Sequence, residues 1–191
     1  MKNYYTSKEL KNIFKIKDVG QNVFIKKNCI ITNPKNLIIG NNVRIDDFCV
    51  IAAPNGSLII EGNTHIGPFS YLGCSGHIKL DRFVSISSGA KLFTSSDDYS
   101  MNFLHGPMVD SEFVNTTSGP ILMREASLIG SSAIVLPNVE FGEGSVLGSL
   151  SLAMINLESH WIYSGNPAKK VRKASSLYKD KINGFIKKNQ I

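Results

Sequence analysis

Four histidines are the side chains of this chain best suited to taking a proton near neutral pH: His65, His77, His105 and His160. Their surroundings differ. His65 ends the run Gly62-Asn63-Thr64-His65 and stands directly before Ile66. His105 lies in Phe103-Leu104-His105-Gly106-Pro107. His77 follows Gly76, and His160 precedes Trp161; both read as structural or surface residues. Two carboxylates, Asp97 and Asp98, follow Ser95-Ser96. A carboxylate that reaches a histidine fixes its tautomer and stabilises its charged form. His65 or His105 with Asp97 or Asp98 is therefore a general-base constellation. The plainer alternatives are a solvated corner histidine and an aspartate that caps a turn. Cys29, Cys49 and Cys74 have no metal-ligand spacing with the histidines, so a metal site is not expected and the thiols read as buried.

The element that positions these residues is legible in a six-residue period. Met123, Ile129, Val135, Phe141, Leu147 and Ala153 are all apolar, as are Ile60, Ile66, Leu72, Ile78, Val84 and Ala90; Ile39, Ile45 and Ile51 give a shorter run. Neither a 3.6-residue nor a two-residue period yields a strict six. Four places after an anchor the residue is usually small, as at Ser70, Ser88, Ser127, Ala133, Ser145 and Ser151, with Cys29 and Cys49 in the same position. The pattern predicts an all-β solenoid, a left-handed parallel β-helix with coils of about 18 residues and strands about 4.8 Å apart. Gly and Asn are expected to relieve its corners by accepting positive φ. His65 then points outward at a corner. Phe83 and Met101 would stack above it at intervals of 18, placing Asp97-Asp98 roughly 10 Å away.

Three units follow. Residues 1–20 form a helical cap over the first coil, with Thr6 and Glu9 as a capping box. Residues 21–164 carry the solenoid, interrupted at 95–120 by a long stretch without the repeat, the kind of insertion that emerges on a binding face. Residues 165–191 form a basic segment and a helix over 174–188 that closes the far end.

The chain has 191 residues and a net charge of +6. From Gly165 onward Lys169, Lys170, Arg172, Lys173, Lys179, Lys181, Lys187 and Lys188 face only Asp180. No aromatic platform or groove-reading motif accompanies them, so an anionic small ligand or an acidic membrane surface is expected rather than nucleic acid. No apolar stretch reaches membrane-spanning length and no signal core follows Met1, so a cytoplasmic location is expected.

The run Ile129-Gly130-Ser131-Ser132-Ala133-Ile134-Val135-Leu136-Pro137-Asn138-Val139 and the ending Gly165-Asn166-Pro167-Ala168-Lys169 resemble the hexapeptide-repeat acyltransferases. The sugar O-acetyltransferase branch is the nearest in kind: galactoside and maltose acetyltransferases and relatives from polysaccharide gene clusters. The resemblance covers roughly residues 20–173. It implies a homotrimer that binds acetyl-CoA in a cleft between neighbouring solenoids. Ser131 and Ser149 would neighbour the pantetheine, and Lys169 and Arg172 match the family's basic positions that suit the coenzyme phosphates. In galactoside-type relatives the catalytic histidine follows the strand that here reads Lys91-Leu92-Phe93-Thr94; this chain has Ser95-Ser96-Asp97-Asp98-Tyr99 instead. The corner Gly62-Asn63-Thr64-His65-Ile66 resembles a histidine-bearing corner of the polysaccharide-cluster relatives. The implied reaction moves acetyl from acetyl-CoA to a hydroxyl of a sugar or glycan intermediate in surface-polysaccharide biosynthesis, with Asp97 and Asp98 as further candidates for holding the acceptor. Two alternatives stand beside it: N-acetylation of a nucleotide-linked amino sugar, and a non-catalytic trimeric scaffold.

Overall fold

A computed structural model of the chain describes residues 3–189. The chain winds about seven turns of a left-handed parallel β-helix. Each turn lays one short strand on each of three faces. The first face holds Asp18–Val19, the beginnings of Leu37–Ile45 and Ser57–Ile66, then His77–Leu80, Ile121–Met123 and Val139–Phe141. The second holds Val23–Lys26, the ends of those two long strands, then Ser85–Ile86, Leu128–Ile129, Val146–Leu147 and Trp161–Ser164. The third holds Ile30–Thr32, Val50–Ala52, Tyr71–Gly73, Lys91–Phe93, Ile134–Val135 and Leu152–Ala153.

Two residues per strand point inward, because side chains alternate along a strand. The second of the two is an apolar anchor, and the anchors stack in columns: Ile45, Ile66, Ile86, Ile129 and Leu147 on the second face, Ile51, Leu72, Leu92, Val135 and Ala153 on the third. All are buried. On the second and third faces the first inward residue is mostly small or polar (Thr64, Ser127, Ser145; Cys49, Ser70, Ala90, Ala133, Ser151), which lets the prism stay narrow. The three cysteines are free and buried.

The coil length differs from a uniform 18. Ile45, Ile66 and Ile86 stack at spacings of 21 and 20 residues, whereas Ile129 and Leu147 stack at 18. Extra residues at the corner after the third face, such as Pro34–Asn36 and Pro54 to Gly56, account for the longer turns. In the fourth coil the stacked anchors are therefore Leu80, Ile86 and Leu92, two places after Ile78, Val84 and Ala90, which are buried as the partner inward residues.

Two corners run as columns of positive-φ residues. Asn22, Asn42, Asn63, Phe83, Ala126, Gly144 and His160 line the corner between the first and second faces; Phe48, Phe69, Gly89, Ser132 and Leu150 line the next. Asparagine side chains link up along the first column, Asn22 to Asn42 and Asn42 to Asn63, each at 3.0 Å. Phenylalanines take the left-handed conformation at three of these corners, which Gly and Asn alone were expected to supply.

Helix α1 (Ser7–Asn12) starts at the Thr6–Glu9 capping box and buries Leu10 completely against the first coil. The 95–118 excursion leaves the third face as a hairpin, Ser95–Asp97 against Thr116–Ser118, with a loop beyond it. The last coil is covered by Lys169–Lys173, antiparallel to Trp161–Ser164. Helix α2 (Tyr178–Asn189) does not close the far end. It runs down the side of the first corner column, from His160, where Tyr178 docks, to Phe83, where Phe185 packs edge-on at 5.7 Å. Gly144, at φ +60°, makes room for it: a Cβ there would lie 2.5 Å from the Tyr178 hydroxyl. Among the described residues no helix is long and apolar enough to cross a membrane.

Candidate active site

His65 sits on the outer side of the second face, between the inward Thr64 and Ile66. Its stacking neighbours are Arg44 below and Ser85 above, with Leu128 next; Phe83 and Met101 do not stack on it, because the local coil is 20–21 residues long. Its partner is Asp46. The His65 Nε2 lies 2.7 Å from Asp46 Oδ2, while Arg44 Nε donates to Asp46 Oδ1 at 2.7 Å. Burial alone would raise the Asp46 carboxyl, but the hydrogen bonds from His65 and Arg44 and their charges overcome it and hold it below the usual carboxylate range. With Nε2–H donated to Asp46, His65 Nδ1 keeps its lone pair for a proton. The sequence reading missed Asp46 and Arg44. A 20–21-residue spacing from His65 would have found the second, and the first lies two places further on.

Asp97 and Asp98 do not reach His65 within one chain. Asp97 ends the first strand of the hairpin, beside a groove of about 690 Å³ whose apolar wall is the third face at Phe93, Ile134, Leu136, Leu152 and Met154. Asp98 accepts from the Ser100 backbone N–H at 2.7 Å and from Asn115 Nδ2 at 3.2 Å, and these bonds hold its carboxyl below the ordinary range. His105 Nε2 bonds to the Asp98 backbone carbonyl at 2.9 Å, so the loop brings His105 and Asp98 together through backbone. His77 Nδ1 meets Ser57 Oγ at 2.9 Å and His160 Nδ1 meets the Tyr178 hydroxyl at 3.1 Å; both are tied into the scaffold.

Ser131 and Ser149 occupy equivalent places on successive coils, exposed at the corner between the second and third faces, and Ser88 precedes them in the same column. The ladder there is backbone: Ser132 N–H to Ser88 O and Leu150 N–H to Ser131 O, each 2.9 Å. Lys169 pairs in register with Ser164 at the top of the second face, near that corner, and has no ion-pair partner among the described residues. Arg172 pairs with Ile162, further along the strand, and its guanidinium donates to the Lys173 carbonyl. Lys170 is occupied by Glu158 and lies over Trp161. The corner thus offers a strip of small residues that ends in an unpaired cation.

Comparison with known proteins gives this arrangement a context. No family model matches the chain. It is 36% identical over 159 residues to the dTDP-4-amino-4,6-dideoxy-D-glucose acyltransferase of Escherichia coli, 83% of each chain being covered. The structure of AntD, an N-acyltransferase from Bacillus cereus in complex with dTDP and 3-hydroxybutyryl-CoA, superposes with a TM-score of 0.94 at 34% identity, covering the whole of both chains. A maltose O-acetyltransferase from Clostridium difficile 630 superposes with a TM-score of 0.53 at 12% identity, over 83% of this chain and 67% of that one, which is a likeness of fold. The chain belongs to the hexapeptide-repeat, left-handed β-helix family of acyltransferases, and it is an acyltransferase.

Proposed function

We propose that the chain transfers an acyl group from acyl-CoA to the amino group of a nucleotide-linked amino sugar of the dTDP-4-amino-4,6-dideoxyglucose kind. The observation that carries this reading is the likeness along the whole chain to an N-acyltransferase solved with dTDP and an acyl-CoA. The hydroxyl-acetylating branch is matched at the level of fold. Solved AntD structures also include variants of a serine and of an aspartate ten positions further on. Ser87 and Asp97 here stand ten apart, as do Ser88 and Asp98.

In this reading the pantetheine lies along the Ser131–Ser149 corner, and Lys169 and Arg172 meet the coenzyme phosphates. The neutral amine attacks the thioester carbonyl, a C–N bond forms, and the C–S bond breaks as coenzyme A thiolate leaves. An amine is nucleophilic without prior deprotonation, so the base acts late: His65 Nδ1 takes the ammonium proton while Asp46 holds the imidazolium. His105 is the second candidate for that proton. His65 and Asp97 stand on different faces of one chain, and a trimer packed through the apolar third face would bring the loop of one copy to the second face of another. The three reduced, buried thiols suit the cytoplasm, where acyl-CoA and nucleotide sugars meet.

The test is a coenzyme A release assay with the dTDP-linked 4-amino sugar and its 4-hydroxyl counterpart. Turnover of the first, giving a product stable to hydroxylamine, supports an amide; turnover of the second alone, giving a hydroxylamine-labile ester, overturns the reading. With an amine acceptor, His65→Gln and His105→Gln should each retain activity within about ten-fold, whereas a hydroxyl acceptor should lose about 10²–10⁴-fold with the true base.

A further inference from the structure

Phe48 and Phe69 occupy successive coils at the corner between the second and third faces. Both are solvent-exposed, 53% and 62%, and the rings lie stacked, 5.2 Å between centroids with planes 15° apart. Both residues hold φ near +60°, which is costly for a bulky side chain and persists where the surroundings impose it. At the next coil of the same column stands Gly89, at φ +73°, and at the one after it Ser132; a large side chain returns only at Leu150. The face of Phe69 turned away from Phe48 is therefore left uncovered along roughly 10 Å of the column, two coil spacings.

This gap adjoins the serine corner proposed for the pantetheine. Pro68, Ser88, Ser131 and Ser149 follow one another in the adjacent column, so an acceptor that meets the thioester end of the coenzyme must lie over Phe69 and the coils beneath it. On the coil of Phe48 stands Arg44. Its Nε is fixed on Asp46 at 2.7 Å, and among the described residues its two terminal nitrogens make no hydrogen bond or ion pair. A guanidinium held by one edge with the other free is suited to phosphate oxygens.

We propose that Phe69, backed by Phe48, is the stacking platform for the planar base of the nucleotide-linked acceptor, and that Arg44 receives its diphosphate. This deepens the amino-sugar reading above and rests on it. An exposed aromatic face of one ring's width suits a base, because every base offers a π-face and stacking requires no further polar partner. The platform is then a determinant of affinity for the nucleotide, separate from the proton-handling pair His65–Asp46.

Calorimetric titration of the full chain with dTDP, thymidine and coenzyme A tests this. In Phe69→Ala the dissociation constants for dTDP and thymidine should rise roughly ten-fold or more. That for coenzyme A and the oligomer mass by sedimentation should not change, and Phe69→Trp should restore nucleotide binding. Arg44→Gln should weaken dTDP but leave thymidine alone. Unchanged dTDP affinity in a folded Phe69→Ala would overturn the platform while leaving the amino-sugar reading intact. Dissociation of the oligomer in that variant would also overturn it, by making the ring pair a subunit contact. A wild-type chain that binds coenzyme A but neither dTDP nor thymidine would overturn the nucleotide-linked reading itself.

Discussion

At the scale of single residues, the interior contains polar groups of two kinds, and they should respond oppositely to removal. Thr94 is fully buried; its hydroxyl donates to the Gly73 carbonyl at 2.6 Å and accepts the Gly76 N–H at 2.8 Å. Thr94→Val keeps the shape and leaves the Gly73 carbonyl the Thr94 backbone N–H at 3.0 Å, but it strands the Gly76 N–H, and should cost about 1–3 kcal/mol by chemical denaturation. Ser127 and Ser145 are as deeply buried, and neither hydroxyl has a partner. Ser127→Ala and Ser145→Ala should leave the denaturation midpoint unchanged or raise it slightly. Asp46 sets a pH dependence. Its carboxyl is depressed in the folded chain, so its contribution to stability is complete above the unfolded carboxylate range and is lost as pH falls through the depressed value. Melting temperature followed downward from pH 6 should fall less steeply in Asp46→Asn than in the wild type. The histidines were legible as candidates because few residues titrate near neutrality. Their partners were not, since the Asp46–His65 contact spans a coil whose true length, 20–21 residues, depends on corner insertions that carry no apolar signal.

Among elements, the strands were legible and the ends less so. A six-residue apolar period survives in sequence because each anchor must fill the same narrow prism, and Ile129, Val135 and Leu147 show it directly. Helix α2 has no such lattice to obey. Its sequence gives a helix but not a place, because the side of a solenoid and its open end both offer apolar surface. What places it is a set of contacts with distant coils: Tyr178 to Glu143 at 2.9 Å and to His160, Lys179 to Glu143 at 3.1 Å, and Phe185 on Phe83. Burial, and then the Glu143 carboxylate, push the Tyr178 hydroxyl well above the ordinary phenol range, so the phenol stays protonated as a donor. Gly144→Ala should push this helix off its corner: proteolysis within 174–189 should accelerate several-fold, while the solenoid's circular dichroism stays the same. Tyr178→Phe should do so more mildly, having lost one charge-assisted bond.

For the whole molecule, the third face is a surface on which apolar side chains remain open to solvent. Phe93, Ile134, Leu136, Leu152 and Met154 line it beside the hairpin, and Leu150, Met154 and Ile155 are exposed at its upper end. If it is where copies meet, Leu152→Lys should yield monomers by sedimentation and abolish acyl transfer with His65, Asp46 and the Ser131–Ser149 corner untouched. The basic end of the chain is less uniform than its charge implies. Lys170 and Lys179 are neutralised by Glu158 and Glu143, whereas Lys169, in register with Ser164, has no ion-pair partner among the described residues. Lys169→Glu should accordingly raise KM for acyl-CoA with little change in kcat.

The hairpin at Ser95–Asp97 and Thr116–Ser118 departs from the lattice without interrupting it. Ser85 still pairs with Leu128 and Lys91 with Ile134, so the fourth and fifth coils are bonded to each other as though nothing lay between them. The excursion is thus a detachable cassette. Its length and side chains can be rewritten, or exchanged for those of another acyltransferase, without asking any coil to refit its neighbour.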